Sequence, residues 1–180
     1  MTEPSTARSL RRPASAGATR KPAAAAVTTV DTSFLETLTG YNARRAALSI
    51  ISVFLERMAP YDLRPVDFSV LSLIAHNPGI TSRQLCGALD ILPPNLVGML
   101  RQLETRGLIE KREHPTDRRA QGLHLSAAGK KLYAQAKATA TALEVDALPG
   151  LSADERETLH SLLRRVYSHP RGGTDTEALG

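Results

Sequence analysis

Asn95, Arg101 and Gln102 share one segment with Pro94 and Gly98, and Asp117, Arg118 and Arg119 stand together in a loop further along the chain. These side-chain types suit contact with a polyanion better than bond-making chemistry. An asparagine amide offers the donor and acceptor that match adenine, an arginine matches guanine or a phosphate, and an apolar ring can touch a thymine methyl group. Gly98 costs about 1 kcal/mol relative to alanine in a helix interior, so it either permits close backbone approach or marks a tolerant surface position. Catalysis, by contrast, needs acids, bases or nucleophiles that converge. His76, His114, His124, His160 and His169 do not cluster in sequence, and no His-x-x-x-His spacing occurs. No catalytic residue, metal site or cofactor is expected.

The elements that must position these groups lie between residues 81 and 125. Thr81 and Gln84 form a T-x-x-Q capping box, which predicts a helix start, and Leu85 and Leu89 give that helix an apolar face. Pro93 and Pro94 fit only the first turn of a helix, where their missing N–H groups have no partner in any case. A second helix therefore begins near Pro93. Leu96, Leu100, Leu103 and Gly107 follow at spacings of four, three and four, so one face is apolar and Gly107 supplies a left-handed stop. Leu108 to Glu113 and Ala120 to Leu125 then alternate and predict an antiparallel pair joined by His114 to Arg119. Helix, turn, helix and hairpin make a winged helix-turn-helix, in which one helix fits the major groove and the loop reaches the minor groove. The alternative is a small mixed domain with a solvated charged hairpin.

The chain has 180 residues, of which 42% are hydrophobic, enough for one globular domain and few for two. Its net charge of +5 favours polyanions, yet Arg8, Arg11, Arg12, Arg20 and Lys21 against Glu3 leave a surplus of four in the first thirty residues. DNA affinity must therefore come from where charges sit. A single cysteine, Cys86, excludes an internal disulfide framework and a tetrathiolate zinc site. No stretch is long and apolar enough to cross a bilayer, and no apolar segment of signal-peptide length stands near the N-terminus. A cytoplasmic protein with no membrane partner is expected.

The remaining segments follow in order. Residues 1–30 are rich in Ala, Pro, Ser, Thr and Arg, which predicts a disordered basic arm, either adding phosphate contacts or passive. Phe34, Leu38, Tyr41, Leu48, Leu55 and Met58 predict one long amphipathic helix over 32–58, and Pro65 opens the next, to His76. Ser126 is placed as the N-cap of a helix reaching about Ala147. Ser152 and Glu155 form a second capping box ahead of Leu159, Leu162, Leu163, Val166 and Tyr167. From 169 to 180 the tail is polar and Gly-rich, which predicts disorder. The outer helices, 31–62 and 126–168, carry more apolar face than a DNA-binding lobe at 63–125 can cover, which points to a partner.

The order of residues resembles the MarR family of bacterial transcriptional regulators. The likeness rests on LETRGLI at 103–109, the D-x-R of Asp117 and Arg119, LSAAG at 125–129 and LRPVDFSVLSLI at 63–74. It implies a mainly α fold with a small β-hairpin wing, whose terminal helices interleave in a homodimer. Two recognition helices about one turn of DNA apart then demand a pseudopalindromic double-stranded site. The resemblance also implies a repressor released by a small aromatic carboxylate or phenol, bound between the dimer helices and the DNA-binding lobe. Tyr41, Arg44, Arg45, Phe68 and His76 are assigned to that cleft, against the plainer reading of helix packing and solvated arginines. It further implies that Asp117 pairs with Arg119 and shapes the wing, so Arg119 is the minor-groove residue, with Arg118 in reserve. This chain departs from the family at Pro93, Pro94, Asn95 and Gly98, where Ser, Thr or Arg is usual, which shifts base reading toward Gln102, the wing and DNA shape. Two alternatives stand beside a ligand-released repressor: an architectural DNA-binding protein without effector, and a redox regulator using Cys86, although a small core residue is the simpler reading of that cysteine.

Overall fold

A computed structural model describes residues 29–113 and 121–168. The helices are α1 (Ser33–Glu36), α2 (Thr39–Met58), α3 (Pro65–His76), α4 (Ser82–Leu89), α5 (Pro93–Thr105), α6 (Ala127–Asp146) and α7 (Ala153–Ser168). The strands are β1 (Ile109–Glu113) and β2 (Gln121–Leu125), paired antiparallel from Ile109 opposite Leu125 to Glu113 opposite Gln121. The fold is mainly helical with a hairpin wing. The expected basic arm and polar tail fall largely outside the described residues, as do His114, His169 and the wing residues Asp117, Arg118 and Arg119.

One expected element is divided. The helix predicted over 32–58 breaks at Thr37 and Leu38, where Leu38 is extended at φ −93°, ψ 122°. Asn42 causes the break to be stable: its side-chain amide donates to the carbonyls of Glu36 and Leu38, and the Thr37 hydroxyl donates to the Phe34 carbonyl. Polar side chains that satisfy local carbonyls compete with the helical ladder, and the apolar stripe crosses the break without registering it.

The core lies where α3, α4, α5, the hairpin and the first half of α6 meet. Leu71, Ile74, Leu85, Leu96, Leu103 and Leu123 are fully buried, and Met58 reaches in from the end of α2. A backbone bridge from Ile80 to Leu123 adds a third short strand position to the hairpin, with N–H groups of Gly79 and Leu123 donating across it at 2.9 Å. A Cβ on Gly122 would stand 3.0 Å from the Gly79 backbone, so this close crossing favours glycine.

The two ends of the hairpin are fastened together. The Ser126 hydroxyl donates to the Gly107 carbonyl at 2.6 Å, and its backbone N–H donates to the Leu108 carbonyl at 3.1 Å. The same hydroxyl accepts from the Gly129 N–H at 2.9 Å, making Ser126 the N-cap of α6. A Cβ on Gly129 would lie 1.9 Å from the Leu108 carbonyl oxygen, so only glycine lets α6 sit this close.

Candidate nucleic-acid interface

Thr81 caps α4 as its sequence predicts: its hydroxyl accepts from the Gln84 N–H at 3.3 Å, and its own N–H donates to the Gln84 side chain at 2.9 Å. The turn from α4 into α5 passes through Asp90 in the left-handed region at φ 51°, and Pro93 and Pro94 then open α5. Leu96, Leu100 and Leu103 face the core, so the opposite side of α5 is solvent-facing. Pro94, Gly98 and Arg101 fall at i, i+4 and i+7 on that outer face, with Asn95 exposed on its flank. Nothing lies within 4 Å of a Cβ built on Gly98. Arg101 makes no hydrogen bond or ion pair among the described residues, leaving its guanidinium available for an anion.

Gln102 has a different setting. Its side-chain oxygen accepts from Arg64 at 3.3 Å, so the elbow between α2 and α3 reaches the second half of α5. Arg64 is also forked onto Asp67, at 2.8 and 3.0 Å, while the backbone N–H of Arg64 donates to the same carboxylate. The hydrogen bonds and charge of Asp67 push the Arg64 guanidinium above its ordinary pKa, so it stays cationic. Arg106 completes the elbow contact by donating to the carbonyls of Asp62 and Tyr61 at 2.7 and 2.8 Å. Beside these groups lies an open cavity of 530 Å³ lined by Arg64, Arg101, Gln102 and Arg106. Neither Arg64 nor Arg106 was singled out from the sequence. The contacts that place them here, Arg64 to Gln102 and Arg106 to Tyr61 and Asp62, span 38 to 45 residues and leave no local pattern.

On the wing side, Lys111 of β1 pairs with Glu104 of α5 at 2.8 Å, and Arg112 pairs with Glu110. A second cavity, of 320 Å³, opens between α3, β2 and α6 and is lined by Arg112, His124, Lys130 and Tyr133. Tyr133 also completes an aromatic group. Phe68 lies 5.9 Å from both Phe54 and Tyr133 between ring centres, and His76 stands edge-on to Tyr133 at 6.0 Å. Of the five residues assigned to a ligand cleft, Phe68 and His76 are thus brought together. Tyr41, Arg44 and Arg45 sit in the first turns of α2, roughly 14 to 20 Å along the helix from Phe54, with both arginines exposed.

A profile of the MarR family matches residues 61–120, the stretch holding α3 to the wing. The transcriptional repressor CouR bound to a 23-mer DNA duplex is 37% identical, superposes with a TM-score of 0.72, and covers 77% of this chain and 99% of that one. The chain belongs to the MarR family. CouR bound to p-coumaroyl-CoA superposes with a TM-score of 0.70 at 35% identity, over 78% of this chain and 100% of that one. The putative transcriptional regulatory protein for the hcr operon of Thauera aromatica is 37% identical over 97 residues, 54% of this chain. That match spans 58% of the Thauera protein, less than two thirds of its length. In this MarR-family chain, α5 occupies the place of the recognition helix and the hairpin that of the wing.

Proposed function

We propose that the chain is a homodimeric DNA-binding repressor of a pseudopalindromic operator, released by a small effector. The observation that carries the DNA-binding part is the outer face of α5, where Pro94, Asn95, Gly98 and Arg101 are exposed beside the hairpin. A relative bound to a DNA duplex supports it. Arg119, with Arg118 in reserve, enters the minor groove on this reading, and Asp117 holds the wing in shape.

Dimerisation is supported by the apolar side chains left uncovered on the outer helices. Phe34 is 72% exposed, Val166 72% and Tyr167 73%, and Leu48, Leu55 and Leu162 are close to half exposed. Apolar surface of this kind in one soluble chain is lowered in free energy by a partner that covers it. The outer helices within 31–62 and 126–168 supply it, and 63–125 forms the DNA-binding lobe.

The effector part is supported by a relative bound to p-coumaroyl-CoA. In this chain the aromatic group around Phe68 and Tyr133 suits a planar ring, and Arg112 and Lys130 suit the anionic part of such a molecule. The test is one preparation of the full chain with three readings. Sedimentation should give a dimer at micromolar concentration, selection from random duplexes should return a two-fold repeated site, and p-coumaroyl-CoA should release that site while free CoA should not. A monomer, or selection with no preferred sequence, overturns the corresponding part.

A further inference from the structure

The outer face of α5 is more apolar than a helix that reads bases by hydrogen bonding needs to be. Leu92, directly before the helix, is 71% exposed, and Val97 is 47% exposed. Val97 is three residues from Pro94 and four from Arg101, so it adjoins both on the helix surface. Gly98 leaves a notch beside it, because nothing lies within 4 Å of a Cβ there. The carboxylate on that flank, Glu104, is already engaged by Lys111 at 2.8 Å. Gln102, on the other flank, has its acceptor oxygen taken by Arg64.

We propose that Leu92 and Val97 read sequence by packing against thymine C5-methyl groups in the major groove. Among the atoms that base pairs present there, the thymine methyl is the apolar one. The remaining edges are donors and acceptors, which a leucine or valine would cover without pairing. The open notch at Gly98 lets the backbone approach until these side chains touch the bases, and Arg101 at the far end of the same face anchors a phosphate or guanine. The helix rises roughly 6 Å from its first turn to Val97, close to two base-pair steps of about 3.4 Å. Two thymine-bearing pairs with one base pair between them are therefore addressed in each half-site. This rests on the DNA-binding reading above and extends it to the chemistry of the preferred sequence.

The experiment replaces single thymines by deoxyuridine in the site that the full chain selects from random duplexes, a change that deletes one methyl group and leaves base pairing intact. Affinity should fall about fourfold at one or both of these two positions of each half-site, the transfer value of one methyl-sized group. Val97→Ala and Leu92→Ala, both exposed and so tolerated by the fold, should each abolish the uridine effect at one position. Unchanged circular dichroism and sedimentation would confirm that the variants fold. A preferred site indifferent to uridine, or a uridine effect that persists at full size in both variants, would overturn this inference alone. Selection that returns no preferred sequence would overturn the DNA-binding reading beneath it.

Discussion

The guanidinium of Arg106 donates to the backbone carbonyl of Asp62 at 2.7 Å, tying the end of the recognition helix to the elbow that leaves α2. Its second amino group holds the Tyr61 carbonyl at 2.8 Å, and Asp62 itself is in the left-handed region at φ 49°. Tyr61 and Asp62 lie between α2 and α3, where neither carbonyl belongs to an α-helical ladder, and a planar fork can satisfy both at once.

Arg106→Ala should therefore destabilise the fold by about 1–2 kcal/mol, below the usual value for buried charged hydrogen bonds because the side chain is partly solvated. Arg106→Lys should recover less than half of this, since an ammonium on a flexible stem cannot hold both carbonyls in one plane. Urea unfolding checks it. An unchanged midpoint for Arg106→Ala would show that the contact carries no stability.

Gly98→Ala separates folding from DNA contact. An added Cβ meets nothing in the free protein, and alanine is favoured over glycine in a helix by about 0.5–1 kcal/mol. The melting temperature should rise while affinity for the preferred duplex falls. Affinity equal to the parent would make Gly98 a tolerant surface position.

The wing arginine should be visible through salt. Arg119→Ala should weaken binding to the preferred site and reduce the slope of log affinity against log salt by about one unit. Asp117→Ala should also weaken binding, although it removes a negative charge. Tighter binding by Asp117→Ala would show that the aspartate does not organise the loop.

Cys86 is half-buried and packed against the core, beside Leu85. DNA binding by the parent and by Cys86→Ser should be equally insensitive to peroxide in gel-shift measurements. A response in the parent that disappears in the variant would restore a redox role.

Acid should loosen α7 first at its N-terminus. The Ser152 backbone N–H donates to Glu155 at 2.8 Å, and this bond with the Ser152 hydroxyl lowers the pKa of Glu155. A carboxyl held lower in the folded state binds fewer protons there than when unfolded. Its contribution is complete above the ordinary glutamate range near about 4.3, and is lost as pH falls through and below it. Glu155→Ala should thus melt earlier than the parent at neutral pH, and the difference should close in acid. A gap independent of pH would assign the effect to something other than the carboxylate.

How much of this was readable from the sequence depended on distance along the chain. Thr81 with Gln84, Ser152 with Glu155, Pro65, Pro93 and Gly107 each act within one helical turn, and the helix boundaries fall where those residues indicate. The break at Leu38 was hidden because the apolar spacing runs through it while the side chain of Asn42 decides the backbone. Arg64 at the start of α3 belongs to no usual capping type, and its partnership is set by Asp67 and Gln102 together. Leu92, directly before the recognition helix, and Val97 within it look like core candidates by type. Their exposure separates them from the buried Leu96 and Leu100, which lie four residues from Leu92 and three residues from Val97 respectively.

Ser126 closes the hairpin into a ring whose clasp lies far from its tip, at Gly107 and Leu108. One hydroxyl thus works as a hinge pin that joins the base of the hairpin to the first turn of α6, so a shift of one is carried to the other.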